Sequence, residues 1–165
     1  MGFVRVYFKD EQYVVHFSFE LKYIVEFCCR LVLKLEKFLK PVEISVLFVD
    51  NKNIHKLNLK YKNKNRPTDV LSFPTKSSCG YFEYGGVVVL GDIVISLQQA
   101  FKQLKLYGSS CFNEEVARLT IHSMLHLLGY NHEKDAINAA IMRKKEKILN
   151  SIVKRKFKFE RVKNI

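Results

Sequence analysis

Three histidines and a glycine place the strongest constraint on how this chain folds. His122, His126 and His132 follow the spacing HxxxHxxGxxH, with Gly129 between the last two. A separation of four residues places two imidazoles on one helical face, one turn apart. A glycine three residues later can end the helix and turn the chain back towards the third imidazole. The spacing therefore predicts a helix whose C-terminal end binds a metal ion.

This ligand set is typical of catalytic metal sites. Three neutral nitrogen ligands favour a borderline cation such as Zn²⁺, leave its charge uncompensated and keep a fourth position open for water. We therefore predict one Zn²⁺ per chain, bound by His122, His126 and His132. The alternative is that two of these histidines are core residues and the third lies in a loop.

The residue after the first histidine argues against a peptidase. Metalloproteases with a related pattern carry glutamate there, where it takes a proton from water. This chain has Ser123 at that position, and serine is not a base near neutral pH. Peptide hydrolysis would need another carboxylate, such as Glu133 or Asp135, and is the least favoured of the activities considered.

Composition limits the class of protein. The 165 residues contain no linker or repeat, which predicts a single domain over residues 1–165. The net charge of +12 favours polyanionic partners, nucleic acid first, although a basic solvated surface is the alternative. No apolar run is long enough to span a bilayer, so we expect no membrane segment. The four cysteines lack metal-site spacing, which favours a reducing cytoplasm.

Hydrophobic periodicity predicts helices and about four strands. From Ser18 to Leu39, apolar residues recur every three or four positions, which predicts a helix with Ser18 as its N-cap. We expect this helix to stop before Pro41. We expect strand-like stretches within residues 4–15, strands at 42–50, 70–73 and 87–95, and helices at 51–61, 97–107 and 135–159. Residues 63–67 are expected to form a basic loop, and residues 80–86 a loop or turn.

The helix that carries the histidines is expected to be central. Asn113 is predicted as its cap, with Glu114 and Glu115 in an acidic first turn. The helix is apolar on nearly all sides, which is typical of a buried helix. A polar stripe is the exception, and its burial requires partners for every member. The stripe comprises Glu115, Arg118, His122 and His126.

A cluster of cations precedes the strand at residues 70–73. We call it the cationic segment, and it comprises Lys60, Tyr61, Lys62, Lys64 and Arg66. Its cations are predicted to bind RNA phosphates, with the tyrosine ring available to stack on a base. The alternative is a solvated loop that is basic without binding anything.

Three stretches together resemble the YbeY family of bacterial rRNA maturation factors, regarded as metal-dependent single-strand endoribonucleases. They are PTDVLSFP at residues 67–74, LGDIVIS at residues 90–96 and HxxxHLLGYxH from His122. The resemblance extends over most of residues 42–135. It implies an α+β fold with a small mixed sheet of about four strands, a central metal-binding helix packed with it, and the three histidines as zinc ligands.

The resemblance also implies a function. We expect cleavage of single-stranded rRNA in 16S rRNA processing and ribosome quality control, in the cytoplasm. Lys62, Arg66 and Ser72 are the expected catalytic residues, and Asp69 is expected to line the same cleft. The alternative for Ser72 and Asp69 is a structural role in turn and strand-end hydrogen bonding. The expected partners are the small ribosomal subunit and an assembly GTPase. The alternative is a non-catalytic, zinc-stabilised assembly factor that binds rRNA or a small-subunit protein.

Three positions depart from the family pattern: Ser123 replaces glycine, Asn131 replaces aspartate and Lys62 replaces arginine. Lysine offers a point charge where arginine would clamp a phosphate through two hydrogen bonds, so we expect less selective RNA binding. Arg66 is a candidate to compensate. Asparagine removes a negative charge near the metal and weakens any role in orienting a histidine. We expect metal binding itself to survive.

Overall fold

A mixed five-stranded sheet organises the computed structural model, which describes residues 2–13, 18–76, 80–104, 106, 108–131 and 135–159. The elements in chain order are β1 (Val4–Asp10), α1 (Phe19–Leu35), β2 (Val42–Val49), α2 (Asn51–Lys62), β3 (Val70–Pro74), β4 (Phe82–Tyr84), β5 (Val87–Ser96), α3 (Leu97–Gln103), α4 (Phe112–Leu127) and α5 (Ala136–Phe157).

The sheet combines parallel and antiparallel strands. Its order is β1-β2-β5-β3, with β4 paired to β5 off this path. Strands β1, β2 and β5 are parallel, whereas β3 and β4 run antiparallel to β5. The predicted α+β class and mixed sheet are therefore confirmed. Residues 80–86, predicted as a loop or turn, do contain a turn at Gly85 and Gly86, which adopt positive φ. The prediction missed the strand β4 at residues 82–84, which this turn pairs with β5.

Most helices cover one face of the sheet. Buried residues of α1, α4 and α5 join those of β2 and β5 in the main core. Helix α2 packs on the other face, where Ile54 forms a smaller cluster with Val49, Leu71 and Val94. Helix α4 contacts α1, α3, α5, β3 and β5. The prediction that the histidine-bearing helix is central is confirmed.

Two helices end earlier than predicted. Ser18 caps α1 as expected, since its side chain accepts a hydrogen bond from Leu21 N. Helix α1 then stops at Leu35 because Lys37 has a φ of +54°, and this turn brings the Phe38 ring 5.8 Å from that of Tyr81. Helix α3 ends at residue 103, short of the predicted 107.

The predicted start of α4 was also wrong. Cys111, not Asn113, occupies the N-cap position, and it makes no side-chain capping hydrogen bond. The carboxylate of Glu114 instead accepts from Ser110 N at 2.7 Å, so a side chain inside the first turn bonds the preceding backbone. Glu114 and Glu115 lie in the first turn as expected, where the helix dipole favours them.

The described cysteines are thiols. Cys28 and Cys29 are buried in α1 and Cys111 is partly buried, while Cys79 lies outside the described residues. Burial raises the pKa of Cys29 to about 12. No helix in the described ranges has the length and apolarity needed to cross a membrane.

Gly91 allows β3 to approach β5 closely. It follows a bulge in β5, where the register against β2 shifts between Glu43 and Ile44. Its φ is +141°, and a Cβ at this position would collide with the carbonyl oxygen of Phe73. Strand β3 forms part of the cleft described below, so this glycine controls the placement of one cleft wall.

We expect Gly91→Ala to lower the free energy of unfolding by about 3 kcal/mol, because it combines a backbone clash with an unfavourable φ. Urea denaturation measures the loss. Gly85→Ala is the control, since Gly85 also has positive φ but open space around its Cβ position, and its cost should be about 1 kcal/mol. Equal losses in the two variants would contradict the clash.

Candidate active site

A cleft of about 920 Å³ runs between the polar stripe of α4 and the chain from the end of α2 through β3. It collects most of the site residues expected from the sequence. Those that line it are Lys62, Lys64, Arg66, Asp69, Ser72, His122, His126 and Asn131. The structure thus brings the cations and the histidines, which lie some sixty residues apart in the chain, to opposite walls of one cleft.

His122 and His126 form a histidine pair on one wall. Their Nε2 atoms lie 3.1 Å apart, and the rings meet nearly edge to face. The Nδ1 atom of His122 lies 2.6 Å from Glu146 Oε1. The Nδ1 atom of His126 lies 2.9 Å from the carbonyl oxygen of Tyr130. Carbonyl and carboxylate oxygens only accept, so each Nδ1 donates, and each neutral ring then carries its lone pair on Nε2.

This arrangement fits a bound metal ion. With both rings neutral, two Nε2 lone pairs 3.1 Å apart repel each other unless a proton or a metal cation lies between them. Two nitrogens of a tetrahedral zinc site, with bonds of about 2.0–2.1 Å, would lie about 3.3 Å apart. The third expected ligand, His132, lies outside the described residues. Among the described ones alone, no three histidine, cysteine or acidic side chains are grouped to hold a metal.

The end of α4 turns as its glycine predicts. Gly129 has a φ of +97°, its N–H donates to His126 O, and Tyr130 N–H donates to Leu125 O. These two bonds form a Schellman motif. The motif places the Tyr130 carbonyl where His126 Nδ1 reaches it.

The Tyr130 side chain anchors this turn to two other helices. Its hydroxyl donates to Glu36 Oε2 at 2.6 Å, just after α1. Lys145 of α5 donates to the other oxygen of the same carboxylate, also at 2.6 Å. Burial, and next the hydrogen bond to Glu36, raise the pKa of Tyr130. Residues on both sides of α4 therefore hold the backbone that orients His126.

Glu115 and Arg118, the two residues of the polar stripe nearest the start of α4, also have hydrogen-bond partners. Arg118 donates to both oxygens of Glu115, at 3.0 Å and 2.6 Å, and Glu115 is completely buried. Ser109 donates to the same carboxylate at 2.6 Å. Arg118 also lies 3.8 Å from Asp69, which precedes β3. This ion-pair cluster links the two walls of the cleft and explains how a buried helix keeps a charged stripe.

The cationic wall is held by the helix that precedes it. Asn58 is buried, and its amide donates to the carbonyl oxygen of Arg66 at 2.7 Å. Asn63 ends α2 in the left-handed conformation, and its N–H donates to Leu59 O. His55 forms a hydrogen bond of 2.8 Å with Asn65. The backbone between residues 58 and 66 is therefore fixed, whereas the cationic side chains on it are exposed.

Two members of the cationic segment do not line this cleft. The Lys60 ammonium lies 4.9 Å from the centre of the Tyr61 ring. The Tyr61 ring packs edge-on against Phe73, with centroids 5.1 Å apart, and lines a different groove that includes Asp92 and Val94. RNA binding by Lys60 and Tyr61 stays a prediction, for which this cleft offers no support.

Asp69 and Ser72 both lie in the cleft, and Asp69 also has a structural role. Its carboxylate accepts from Val70 N at 2.9 Å, which is the strand-end hydrogen bonding considered as the alternative. Ser72 lies in the middle of β3, paired in register with Ile93 of β5.

The carboxylate that reaches the histidine pair is Glu146, which sequence reasoning missed. It lies on α5, twenty-four residues after His122, and lines the cleft. No short-range spacing connects the two residues. The signal in the sequence is that Glu146 is the one acid among the cations of α5. Asp135, a carboxylate considered earlier, caps α5 through Asn138 N, and Glu133 lies outside the described residues.

Ser123 lies in the core. It is fully buried, and its hydroxyl has no hydrogen-bond partner among the described residues. It does not line the cleft. A side chain directly after His122 therefore points away from the space that the Nε2 atoms face. The position that carries the general base in metalloproteases is unusable here, which argues further against peptide hydrolysis.

The chain is similar to known proteins of one family. A family model described as Endoribonuclease YbeY matches residues 7–153. The Endoribonuclease YbeY of Thermoanaerobacter sp. (strain X514) is 47% identical over 141 residues, which cover 78% of this chain and 85% of that protein. The Endoribonuclease YbeY of Acetivibrio thermocellus is 35% identical over 158 residues, which cover 90% of this chain and 97% of that protein.

A solved structure supports the fold. The solution structure of TM1509 from Thermotoga maritima matches with a TM-score of 0.62 at 24% identity, covering 94% of this chain and 91% of that one. The family resemblance inferred from the motifs is confirmed. The family model matches most of the chain, and the relatives are identical to it at a third to a half of the aligned positions. The chain therefore belongs to the Endoribonuclease YbeY family.

Proposed function

We propose that this chain is a zinc-dependent endoribonuclease that cleaves single-stranded rRNA in 16S rRNA maturation and ribosome quality control. The observation that carries the proposal is the cleft itself, where the Nε2 atoms of His122 and His126 lie 3.1 Å apart opposite three exposed cations. A metal-binding pair facing a cationic wall suits a phosphodiester better than a peptide. The names of the related proteins support RNA as the substrate.

In this proposal, metal binding and phosphate binding belong to residues on opposite walls of the cleft. His122 and His126, with His132 as the expected third ligand, would hold the metal. Bound there, Zn²⁺ would polarise a phosphoryl oxygen and lower the pKa of water. Lys62 and Arg66 neutralise the charge of the phosphate at the opposite wall. The Ser72 hydroxyl is a donor to a phosphate oxygen.

Neighbouring residues hold these groups in position before the substrate binds. Glu146 and the Tyr130 carbonyl keep both Nδ1 atoms as donors, so the Nε2 atoms stay available as ligands. Asn58 holds the backbone beside Arg66. Charge stabilisation and positioning supply most of the catalysis in phosphoryl transfer. The absence of a glutamate at position 123 is therefore less damaging to this reaction than to peptide hydrolysis.

The same proposal places the protein in the cytoplasm, with the small ribosomal subunit and an assembly GTPase as partners. The net charge of +12 supports association with rRNA through phosphate contacts and counterion release. The competing function is a non-catalytic assembly factor that uses zinc to hold the chain after α4. The experiment on His126 below distinguishes the two.

His126→Ala should reduce bound zinc from about one equivalent per chain and slow cleavage of an rRNA fragment by about 10²-fold or more. Metal analysis and gel-resolved cleavage measure these effects, and circular dichroism and RNA binding should stay unchanged. The control is His55→Ala, because His55 bonds Asn65 away from the metal pair, and it should retain the zinc. Bound zinc without cleavage by the wild type would favour the assembly factor, as would unfolding of the His126 variant.

Glu146→Ala should weaken zinc binding by about 100-fold and Glu146→Gln by about 10-fold, because the amide keeps an acceptor for His122 Nδ1 but loses the charge. Competition against a chromophoric chelator measures both. Glu83→Gln is the matched control, since Glu83 pairs with Lys40 far from the cleft in the fold. Zinc affinities that are equal in the Glu146 and Glu83 variants would show that Glu146 does not support the metal site.

Lys62→Ala should weaken binding of single-stranded RNA and lower the slope of log affinity against log salt by about 0.7, the share of one phosphate contact. Fluorescence anisotropy at several salt concentrations measures the slope. Lys60→Ala removes the same charge two residues away but outside the cleft, and should change the slope less. A larger effect at Lys60 would mean that RNA runs along the other face of α2.

A further inference from the structure

Helix α5 carries seven cationic side chains and one acidic one, Glu146. Its buried residues are Ala139, Met142, Leu149 and Val153, which pack it onto the core. The cations therefore spread over the remaining surface of the helix. Their position relative to the cleft depends on how α5 is rotated about its axis.

Two side-chain contacts determine that rotation. Lys145 binds Glu36 at 2.6 Å, which turns one flank of α5 towards the end of α1. Glu146 binds His122 at 2.6 Å, which turns the other flank towards α4. The two contacts come from adjacent residues on opposite sides of the core-facing stripe. The cleft lies beside the α4 flank.

A third pair gives the direction of α5. Lys154 binds Glu114 at 2.6 Å. From His122 to Glu114 the chain runs eight residues back along α4, and from Glu146 to Lys154 it runs eight residues forward along α5. The helices are therefore antiparallel, with the α4 flank of α5 following the polar stripe of α4 along its length.

Arg143 and Lys147 lie on this α4 flank. They are one turn apart, about 6 Å along the axis, and Lys147 is two turns from Lys154 on the same side. Both side chains are exposed. Within the part of the chain that the structure describes, neither forms an ion pair. Glu146 lines the cleft, and helical spacing places these two exposed cations on the same flank of α5, next to the residues that line it.

We propose that Arg143 and Lys147 form a second phosphate-binding subsite, which holds the RNA strand where it leaves the cleft on the α5 side. The inference rests on the proposed function, since it extends the same RNA path. One strand would then contact cations on both sides of the reacting phosphate. Holding it at two places restricts its movement across the histidine pair, which orients the scissile bond.

The ligand of this subsite is the phosphate backbone of a single strand. Exposed lysine and arginine side chains contact phosphate oxygens, and such contacts carry no base preference. The subsite is therefore expected to increase the affinity for long RNA strands more than the affinity for short ones. A short oligomer that fills only the cleft does not reach α5, whereas a longer one does.

The test compares two double variants of equal charge change. Arg143→Gln with Lys147→Gln removes the proposed subsite, and Lys144→Gln with Arg155→Gln removes two exposed cations of the same helix that lie further from its α4 flank. Glutamine keeps the helix propensity of lysine and arginine. Anisotropy with single-stranded oligoribonucleotides of about 4 and about 16 nucleotides, over a range of salt, gives affinity and salt slope.

We expect the Arg143/Lys147 variant to bind the longer oligomer about tenfold more weakly, with a salt slope lower by about 1.4, the share of two contacts. Binding of the short oligomer should be unchanged, and the Lys144/Arg155 variant should match the wild type with both. Equal losses in the two double variants would overturn the subsite while leaving the proposed function intact. Failure of the wild type to bind either oligomer would overturn both.

Discussion

The hydrogen bonds that hold the two Nδ1 atoms of His122 and His126 are the constraint on which the site depends. A buried helix cannot keep imidazoles on its surface without partners, and these partners come from outside the helix. Glu146 reaches His122 from α5, and the Tyr130 carbonyl reaches His126 from the turn after α4. The Nε2 atoms are thereby directed into the cleft by groups that would not themselves touch a metal bound there.

The same constraint explains how the surrounding elements pack. For Glu146 to reach His122, α5 must return antiparallel to α4, and the Glu114–Lys154 ion pair extends that alignment. For the Tyr130 carbonyl to stay beneath His126, its side chain is tied to Glu36 after α1, which Lys145 also binds. Helices α1 and α5 thus support α4 from both sides. The opposite cleft wall is joined to α4 through Asp69 and Arg118.

Most elements could be predicted because their signals are local. Ser18 as a cap, the apolar strand from residue 42 and Gly129 at the end of α4 each act through neighbours in the chain. The errors occurred where distant contacts decide the outcome. Helix α1 ends early as Phe38 turns to meet Tyr81, and residues 82–84 form a strand because β5 offers an edge to pair with. Neither partner is visible in a local window.

The sequence by itself determined the family, the mixed α+β class and the residue types of the site, because the histidine spacing and the PTDVLSFP stretch are contiguous patterns. Tertiary structure alone decided which of those residues share a cleft. It joined Lys62, Arg66 and Ser72 to the histidine pair, placed Lys60 and Tyr61 elsewhere, and introduced Glu146. The physical reason is that a partly buried imidazole needs an oriented acceptor, and that acceptor comes from whichever element packs against it.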